Sequence, residues 1–148
     1  MSRNDAAMSI EGTKDMERIL ETFAPNHSAN LMRATVHGVA SEIAKRAKKL
    51  APKDTGTLRK SIKAKRRRGK PGKPTSDVIA DSGSNAKYNG FYWHFVEYGT
   101  STGRPEQPFM RPARDEVFSQ LDEIIEQQFI KKLQSTVKRQ MKKKAKRV

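Results

Sequence analysis

The chain contains no cysteine and no long apolar run, and both absences narrow what it can be. Without cysteine it has neither disulfide bonds nor thiolate metal ligands, which fits a reducing compartment. No stretch approaches the roughly 20 apolar residues that a membrane-spanning helix needs. Residues 1–16 also lack the apolar core of a signal peptide. We therefore expect a soluble protein that is made in a cytoplasm and has no contact with a membrane.

Residues that carry enzyme chemistry are scarce. The three histidines, His27, His37 and His94, are not spaced for metal binding. No serine lies in a nucleophile-elbow context, and the glycines form neither a P-loop nor a dinucleotide fingerprint. An acid–base cluster of His94 with Glu97 and Asp115 is conceivable, but a histidine hydrogen-bonded within a sheet is the simpler interpretation. We predict no catalytic residues, no cofactor, no metal and no enzyme activity.

Acidic residues are absent from two segments, and these segments hold the excess positive charge. The 148 residues carry a net charge of +15. Residues 63–74 contain seven basic residues and residues 131–148 contain nine, with no acidic residue in either. Residues 75–130 are net negative, and the remainder of the chain is only weakly basic. A nucleic-acid-binding domain usually spreads its cations over folded elements, whereas here they lie on two appendages.

Each basic segment has two open interpretations. The loop at 63–74 contacts phosphates without sequence preference, or it is a solvated loop that orders against acidic surfaces of a neighbouring subunit. The C-terminal segment has no interleaved aromatic residue for base stacking, so it is a phosphate-binding tail or a disordered, solubilising one. The candidate residues for DNA or inter-subunit contact are Lys63, Lys65, Arg66, Arg67, Arg68, Lys70, Lys73, Lys142, Lys143 and Lys144.

Apolar spacing predicts two helices in the first third of the chain. A short one covers residues 14–23 and ends at Pro25. A longer one begins after Ser28 or Asn30 as the capping residue and stops before Pro52. Residues three or four apart form its single apolar stripe, which consists of Met32, Val36, Val39, Ile43, Ala47 and Leu50.

The rest of the chain predicts strands followed by a helix. Residues 77–82 and the aromatic-rich 91–98, bounded by Gly90 and Gly99, are predicted strands. Residues 63–74 are a basic loop, placed at the tip of a hairpin. A last amphipathic helix starts near Pro112 and runs toward the basic tail. This order predicts an α+β fold with a small antiparallel sheet, packed helices, a long amphipathic helix before the sheet and another after it. We expect a disordered N-terminus (1–13), one α+β domain (14–135) and a basic tail (136–148).

Three local motifs, in this order, resemble one family of virion proteins. They are Ala-Pro-Lys-Asp-Thr-Gly-Thr-Leu-Arg-Lys-Ser-Ile at 51–62, Trp-His-Phe-Val-Glu-Tyr-Gly-Thr at 93–100 and Pro-Phe-Met-Arg-Pro-Ala at 108–113. Together they resemble the neck or tail-completion (minor tail component) family of long non-contractile-tailed bacteriophages, similar in role to the minor tail protein Z of phage lambda. The resemblance covers about residues 30–130 and brings no catalytic residue with it.

The resemblance implies structural roles for the motif residues. Gly56 and Gly99 would allow tight turns, Pro108 and Pro112 would set the loop before the last helix, and Phe109 with Met110 would anchor that loop. The full set of structural motif residues is Pro52, Gly56, Glu97, Gly99, Pro108, Arg111 and Pro112.

The resemblance also implies an assembly. It is a virion protein that forms a ring, expected to be hexameric, around the DNA channel at the head–tail junction, where it serves tail completion or head–tail joining. Its partners would be the head-side connector, the tail terminator or tail tube proteins, and packaged DNA through non-specific contacts. The alternative function is a small basic nucleic-acid-binding protein, similar in composition to a small ribosomal protein.

Overall fold

The computed structural model describes residues 25–70 and 72–147. In this part of the chain it contains five helices and one two-stranded antiparallel sheet, which confirms the α+β prediction with long helices before and after the sheet. The elements are α1 (Pro25–Leu50), α2 (Thr57–Ser61), β1 (Ile62–Arg67), β2 (Thr75–Ala80), α3 (Trp93–Tyr98), α4 (Met110–Ser119) and α5 (Leu121–Ala145). Over the described residues, no helix is long and apolar enough to cross a membrane.

Helix α1 ends where the sequence predicts and starts earlier. It stops at Leu50, two residues before Pro52, as the exclusion of pre-proline residues from the α region requires. Ser28 and Asn30 lie inside the helix, so their predicted capping role is wrong. The predicted helix at 14–23 and the predicted disorder at 1–13 fall outside the described residues.

The buried face of α1 is built mainly from small side chains. Its most buried residues are Leu31, Thr35, Ala40, Ala44 and Ala47. The predicted stripe is therefore only partly correct, because Ala47 is buried whereas Met32 and Leu50 are about half exposed. Alanine lets neighbouring backbones approach closely, so the hairpin and α4 pack against this face. The larger apolar residues of α1 are left beside an open groove.

The hairpin β1–β2 includes half of the segment predicted as a loop. The strands pair antiparallel from Ile62 opposite Ala80 to Arg67 opposite Thr75. A loop prediction for residues 63–67 is thus wrong, because Ile62 and Ala64 alternate with exposed lysines and pack on the core. The tip closes in a tight turn in which the Lys73 N–H donates to the Lys70 carbonyl (3.0 Å) and Gly72 has φ 75°.

The predicted strand at 91–98 is a helix. Helix α3 covers Trp93–Tyr98, and the described residues hold no third strand. Trp93, Val96 and Glu97 lie three or four residues apart and face the core, which is a helical period. Aromatic residues favour strands only where they pack on a pleated surface. Here Trp93 packs instead against the core cluster, which includes residues of α1 and α4.

The last helix is confirmed but interrupted. Gln120 leaves helical geometry (φ −122°, ψ 26°) and separates α4 from α5. Helix α5 then continues through residues 136–145 of the predicted tail. It runs antiparallel to α1, since Gln140 Nε2 lies 2.7 Å from His27 Nε2 at one end. Arg46 pairs with Glu116 of α4 at 3.2 Å near the other end.

Candidate functional site

The three sequence motifs meet in one hydrophobic core. Ala51, Leu58 and Ile62 from the first motif pack with Phe109 and Ala113 from the third. Trp93 and Val96 from the second motif pack against the same cluster. Arg59 ties the first motif together, because its Nε donates to the Ala51 carbonyl at 2.8 Å. The motifs therefore describe the framework of the fold, and Pro52 takes part by ending α1.

Glu97 is the central polar residue of this framework. Its side chain is completely buried at the end of α3. One carboxylate oxygen accepts hydrogen bonds from the backbone N–H groups of Phe109 (2.8 Å) and Met110 (2.9 Å), and the other accepts one from Arg111 (3.0 Å). The Arg111 Nε donates a further bond at 3.1 Å. A buried carboxylate thus caps the start of α4 from a distance of a dozen residues in sequence.

Pro112 completes this cap. The first four N–H groups of an α-helix have no partner inside the helix. In α4 these belong to Phe109, Met110, Arg111 and the residue at position 112, where proline has no N–H. Glu97 satisfies the first three and Pro112 removes the fourth. Glu97 and the sequence Phe-Met-Arg-Pro at 109–112 therefore act together to cap α4.

The same hydrogen bonds control the ionisation of Glu97. Burial alone would raise the pKa of its carboxyl. The N–H donors of Phe109, Met110 and Arg111 and the guanidinium of Arg111 outweigh that effect and hold the pKa below its ordinary value. The carboxylate also lies at the N-terminus of α4, where a negative charge complements the helix dipole. Glu97 is consequently a charged structural residue at neutral pH.

The glycines of the motifs have the predicted turn geometry. Gly56 precedes α2 with φ 76°, and Gly99 ends α3 with φ 72°. A side chain at Gly99 would lie 2.7 Å from the Arg104 carbonyl oxygen, whereas nothing lies within 4 Å of the same position at Gly56. Gly99 therefore permits a close backbone approach that fixes the 100–104 loop, which the Thr100 N–H closes onto the Arg104 carbonyl at 3.1 Å.

The structure does not assemble the acid–base cluster considered around His94. The His94 side chain is exposed, with its ring centroid 3.6 Å from that of Trp93. Glu97 is committed to the cap of α4, and Asp115 pairs with Arg114 at 2.9 Å. Within the described ranges, no group of three or more His, Asp or Glu side chains could hold a metal ion.

An open apolar groove is a surface feature that sequence patterns did not reveal. It has a volume of about 770 Å³ and lies between α1, the edge of β2, α3 and the α4–α5 pair. Several of its large side chains are half exposed, including Met32, Tyr98, Phe118 and Ile125. Monomeric soluble proteins rarely leave such a surface uncovered unless it binds something.

A second apolar surface lies on the other side of α3. Phe91 is 64% exposed and Phe95 is 50% exposed. Both border a depression with Asp54 and Arg104, separate from the groove. Trp93 and Glu97 face the groove, and Phe95 lies about 200° around the helix from each of them at 100° per residue. We call Phe91 and Phe95 the aromatic knob.

The predicted contact cations divide into paired and unpaired sets. Lys63 and Arg67 of β1 pair with Asp81 and Asp77 on the β2 side of the hairpin. The cations at the hairpin tip and in the last turns of α5 have no acidic partner among the residues described. They are the exposed residues Arg66, Arg68, Lys70, Lys73, Lys142, Lys143 and Lys144. Lys65 is also exposed on β1.

Comparison with known proteins gives one family. Residues 14–99 match the family model described as "Bacteriophage HK97-gp10, putative tail-component". That range contains the first two motifs up to Gly99, and it covers more than half of the chain. A search of curated proteins and a search of solved structures returned no match.

Proposed function

Because the chain belongs to the HK97-gp10-like family of phage tail components, we propose that it is a structural subunit of the phage neck. In this proposal it forms a ring, expected to be hexameric, around the DNA channel between the head-side connector and the tail terminator or tail tube proteins. Its role there is tail completion or head–tail joining. It acts by binding and positioning other virion proteins and catalyses no reaction.

The observation that carries the ring is the separation of two unlike apolar surfaces. The groove is concave and bordered by Met32 and Phe118, whereas Phe91 and Phe95 are exposed beside a separate depression. A surface that fits a different surface on an identical copy makes a head-to-tail contact, and such contacts form a ring when the rotation between copies closes. We assign the aromatic knob of a neighbouring copy as the occupant of the groove.

The chemistry of the groove supports this occupant. Its rim carries Trp93, Tyr98 and Met110, which are residue types enriched at the centres of protein interfaces. Phenylalanine rings bury large areas and tolerate T-shaped contacts with such side chains. Phe91 of the knob is also more exposed than the groove residues Tyr98 and Phe118.

The function is tested by complementation of a phage whose copy of this gene is inactivated. Extracts containing unjoined heads and tails receive the purified protein, and infectious particles are counted. We expect the protein to restore joining, and the double variant Phe91→Ser/Phe95→Ser to fail. The control is Leu50→Ser/Met141→Ser, which also removes two exposed apolar side chains but lies outside both the groove and the knob. Failure of the unmodified protein to restore any joining would refute the neck assignment.

A further inference from the structure

The two cationic appendages lie at the same end of the molecule, although about 70 residues separate them in sequence. The antiparallel packing of α5 on α1 places Gln140 beside His27, so residues 141–147 lie at the start of α1. The hairpin tip contacts the same region, because Arg66, Lys70 and Lys73 line a cleft together with Arg33 of α1. Folding therefore gathers both cationic appendages around the first turns of α1, and we call this region the cationic end.

Among the described residues, few carboxylates lie near the cationic end. Residues 25–41, 62–76 and 127–147 contain no acidic residue. The first turn of α1 also lacks an acidic residue, so the positive end of its dipole adds to the field there. On the β2 side of the hairpin, Asp77 and Asp81 pair with Arg67 and Lys63. The remaining cations of the cationic end have no acidic partner among the described residues, so a bound anion can supply the opposing charge.

Several cationic side chains line a cleft at the hairpin tip. Its volume is about 220 Å³, and it lies between Ser28–Arg33 of α1 and the turn at Lys70–Lys73. The turn is closed by a backbone hydrogen bond and by the positive φ of Gly72. Because Lys70 and Lys73 flank a closed turn, they bind an anion with less loss of backbone entropy than the same residues in a flexible loop.

The pKa of His37 is affected by cations of the hairpin and of α5. Its Nδ1 lies 3.4 Å from Ser76 Oγ on β2. Burial lowers the pKa of His37, and the positive charges of Arg66 on the hairpin and Lys132 on α5 lower it further. His37 on α1 thus lies near one cation of the hairpin and near one cation of α5 that precedes its last turns. Since a helix is about 10–12 Å in diameter, elements on two sides of α1 can contact one duplex.

We propose that the cationic end is a binding site for the phosphate backbone of duplex DNA, formed jointly by the hairpin tip and the last turns of α5. Binding is independent of base sequence, because the site offers charged groups and no stacking aromatic residue in residues 131–147. The site does not depend on ring formation, since all its residues come from one subunit. A ring would repeat it around the axis and raise the affinity further through multivalency.

The site is tested by fluorescence anisotropy with the full-length chain and a labelled duplex of about 24 base pairs, over salt concentrations of about 50–200 mM. Two triple variants are compared, Arg66→Gln/Lys70→Gln/Lys73→Gln and Lys142→Gln/Lys143→Gln/Lys144→Gln. Each removes three candidate phosphate contacts. We expect each to make the slope of log affinity against log salt shallower by about 2–3, at about 0.9 per contact, with circular dichroism unchanged.

The matched control removes three cations from the opposite end of α1. Lys45, Lys48 and Lys49 are exposed in the last turns of that helix, so Lys45→Gln/Lys48→Gln/Lys49→Gln has the same net charge as each test variant. We expect its slope to equal that of the unmodified chain. Equal losses in all three variants would mean diffuse attraction and would overturn the site, as would absence of binding at about 50 mM salt. Displacement of the duplex by polyglutamate as effectively as by unlabelled duplex would identify an acidic protein surface as the ligand and also overturn it.

Discussion

The carboxylate of Glu97 and Arg111 are joined twice, through the Arg111 backbone N–H at 3.0 Å and through its Nε at 3.1 Å. The guanidinium also donates to the Glu97 carbonyl at 3.1 Å and to the exposed carboxylate of Glu106 at 3.2 Å. Its face lies 5.0 Å from the ring centroid of Tyr98. One arginine thus links the end of α3, the loop before α4 and the rim of the groove.

Replacing Glu97 by glutamine should destabilise the fold strongly. The amide retains one carbonyl oxygen for three backbone donors, and its NH₂ group would face an N–H group. We expect Glu97→Gln to lower the free energy of unfolding by about 2–4 kcal/mol, because buried donors at the start of α4 lose their charged acceptor. Urea denaturation followed by circular dichroism measures this.

Glu106 provides the matched control. It also contacts Arg111 but its side chain is 61% exposed, and exposed ion pairs contribute little to stability. Glu106→Gln should change the unfolding free energy by less than about 0.5 kcal/mol. If Glu97→Gln and Glu106→Gln lower the free energy of unfolding equally, Glu97 does not stabilise the fold by capping α4.

The stability supplied by Glu97 should depend on pH below its ordinary pKa. The folded-state pKa of this carboxyl is lowered from the ordinary 4.5, so the unfolded chain binds the proton more readily. The stabilisation is fully present above pH 4.5 and is lost as the pH falls toward the folded-state pKa. The difference in unfolding free energy between the unmodified chain and Glu97→Gln should therefore shrink as the pH is lowered from 6 toward 3 (roughly the range in which a carboxyl titrates). A difference that stays constant over that range would contradict the lowered pKa.

The two motif glycines should respond differently to alanine. At Gly56 the cost is the left-handed backbone alone, about 1 kcal/mol, because a methyl group there meets nothing within 4 Å. At Gly99 the backbone combines φ 72° with ψ −173°, a region that is essentially glycine-only. The new Cβ would also lie 2.7 Å from the Arg104 oxygen. We expect Gly99→Ala to cost about 3 kcal/mol or more in thermal or urea unfolding.

The sequence predicts the long helices before and after the sheet because their signals are local. Pro52 stops α1, and the lysines and glycines of the hairpin tip are turn chemistry whatever packs beside them. The strand prediction for residues 91–98 is wrong because it followed the strand preference of their aromatic residues. In the described part of the chain, β2 pairs only with β1 and no third strand joins the sheet. The spacing of Trp93, Val96 and Glu97 was the available sign of a helix.

The site is harder to predict than the fold because its parts are distant in sequence. Nothing local marks Glu97 as the cap of a helix that starts at Met110. The groove depends on how α1 turns its alanines inward and leaves Met32 at the surface. The close packing of the hairpin determines which face of α1 is buried. The spacing of apolar residues along α1 contains no information about that packing.

The hairpin tip should be dispensable for folding. Arg67 and Thr75 are the last paired residues of β1 and β2, so residues 68–74 can be replaced by Asn-Gly, which forms a two-residue turn. We expect the unfolding free energy to change by less than about 1 kcal/mol, since the removed residues are outside the core. Loss of a cooperative melting transition would show that the tip supports the fold.

The head-to-tail contact makes a prediction about mixtures. A knob variant, Phe91→Ser/Phe95→Ser, keeps an intact groove, and a groove variant, Met32→Lys/Phe118→Lys, keeps an intact knob. Neither should self-associate, because each lacks one half of the contact. Mixed at equal concentration, they retain one complete contact per pair and should form a heterodimer that cannot grow further.

Sedimentation-velocity ultracentrifugation of each variant and of the mixture distinguishes the arrangements, at the concentration where the unmodified chain associates. An isologous dimer, in which the same patch meets itself, would not be rescued by mixing. Association that persists in both variants alone would mean that neither the groove nor the aromatic knob forms the contact between copies. In that case, Met32 and Phe118 lie outside the contact between copies, and the ring must be held together by other residues.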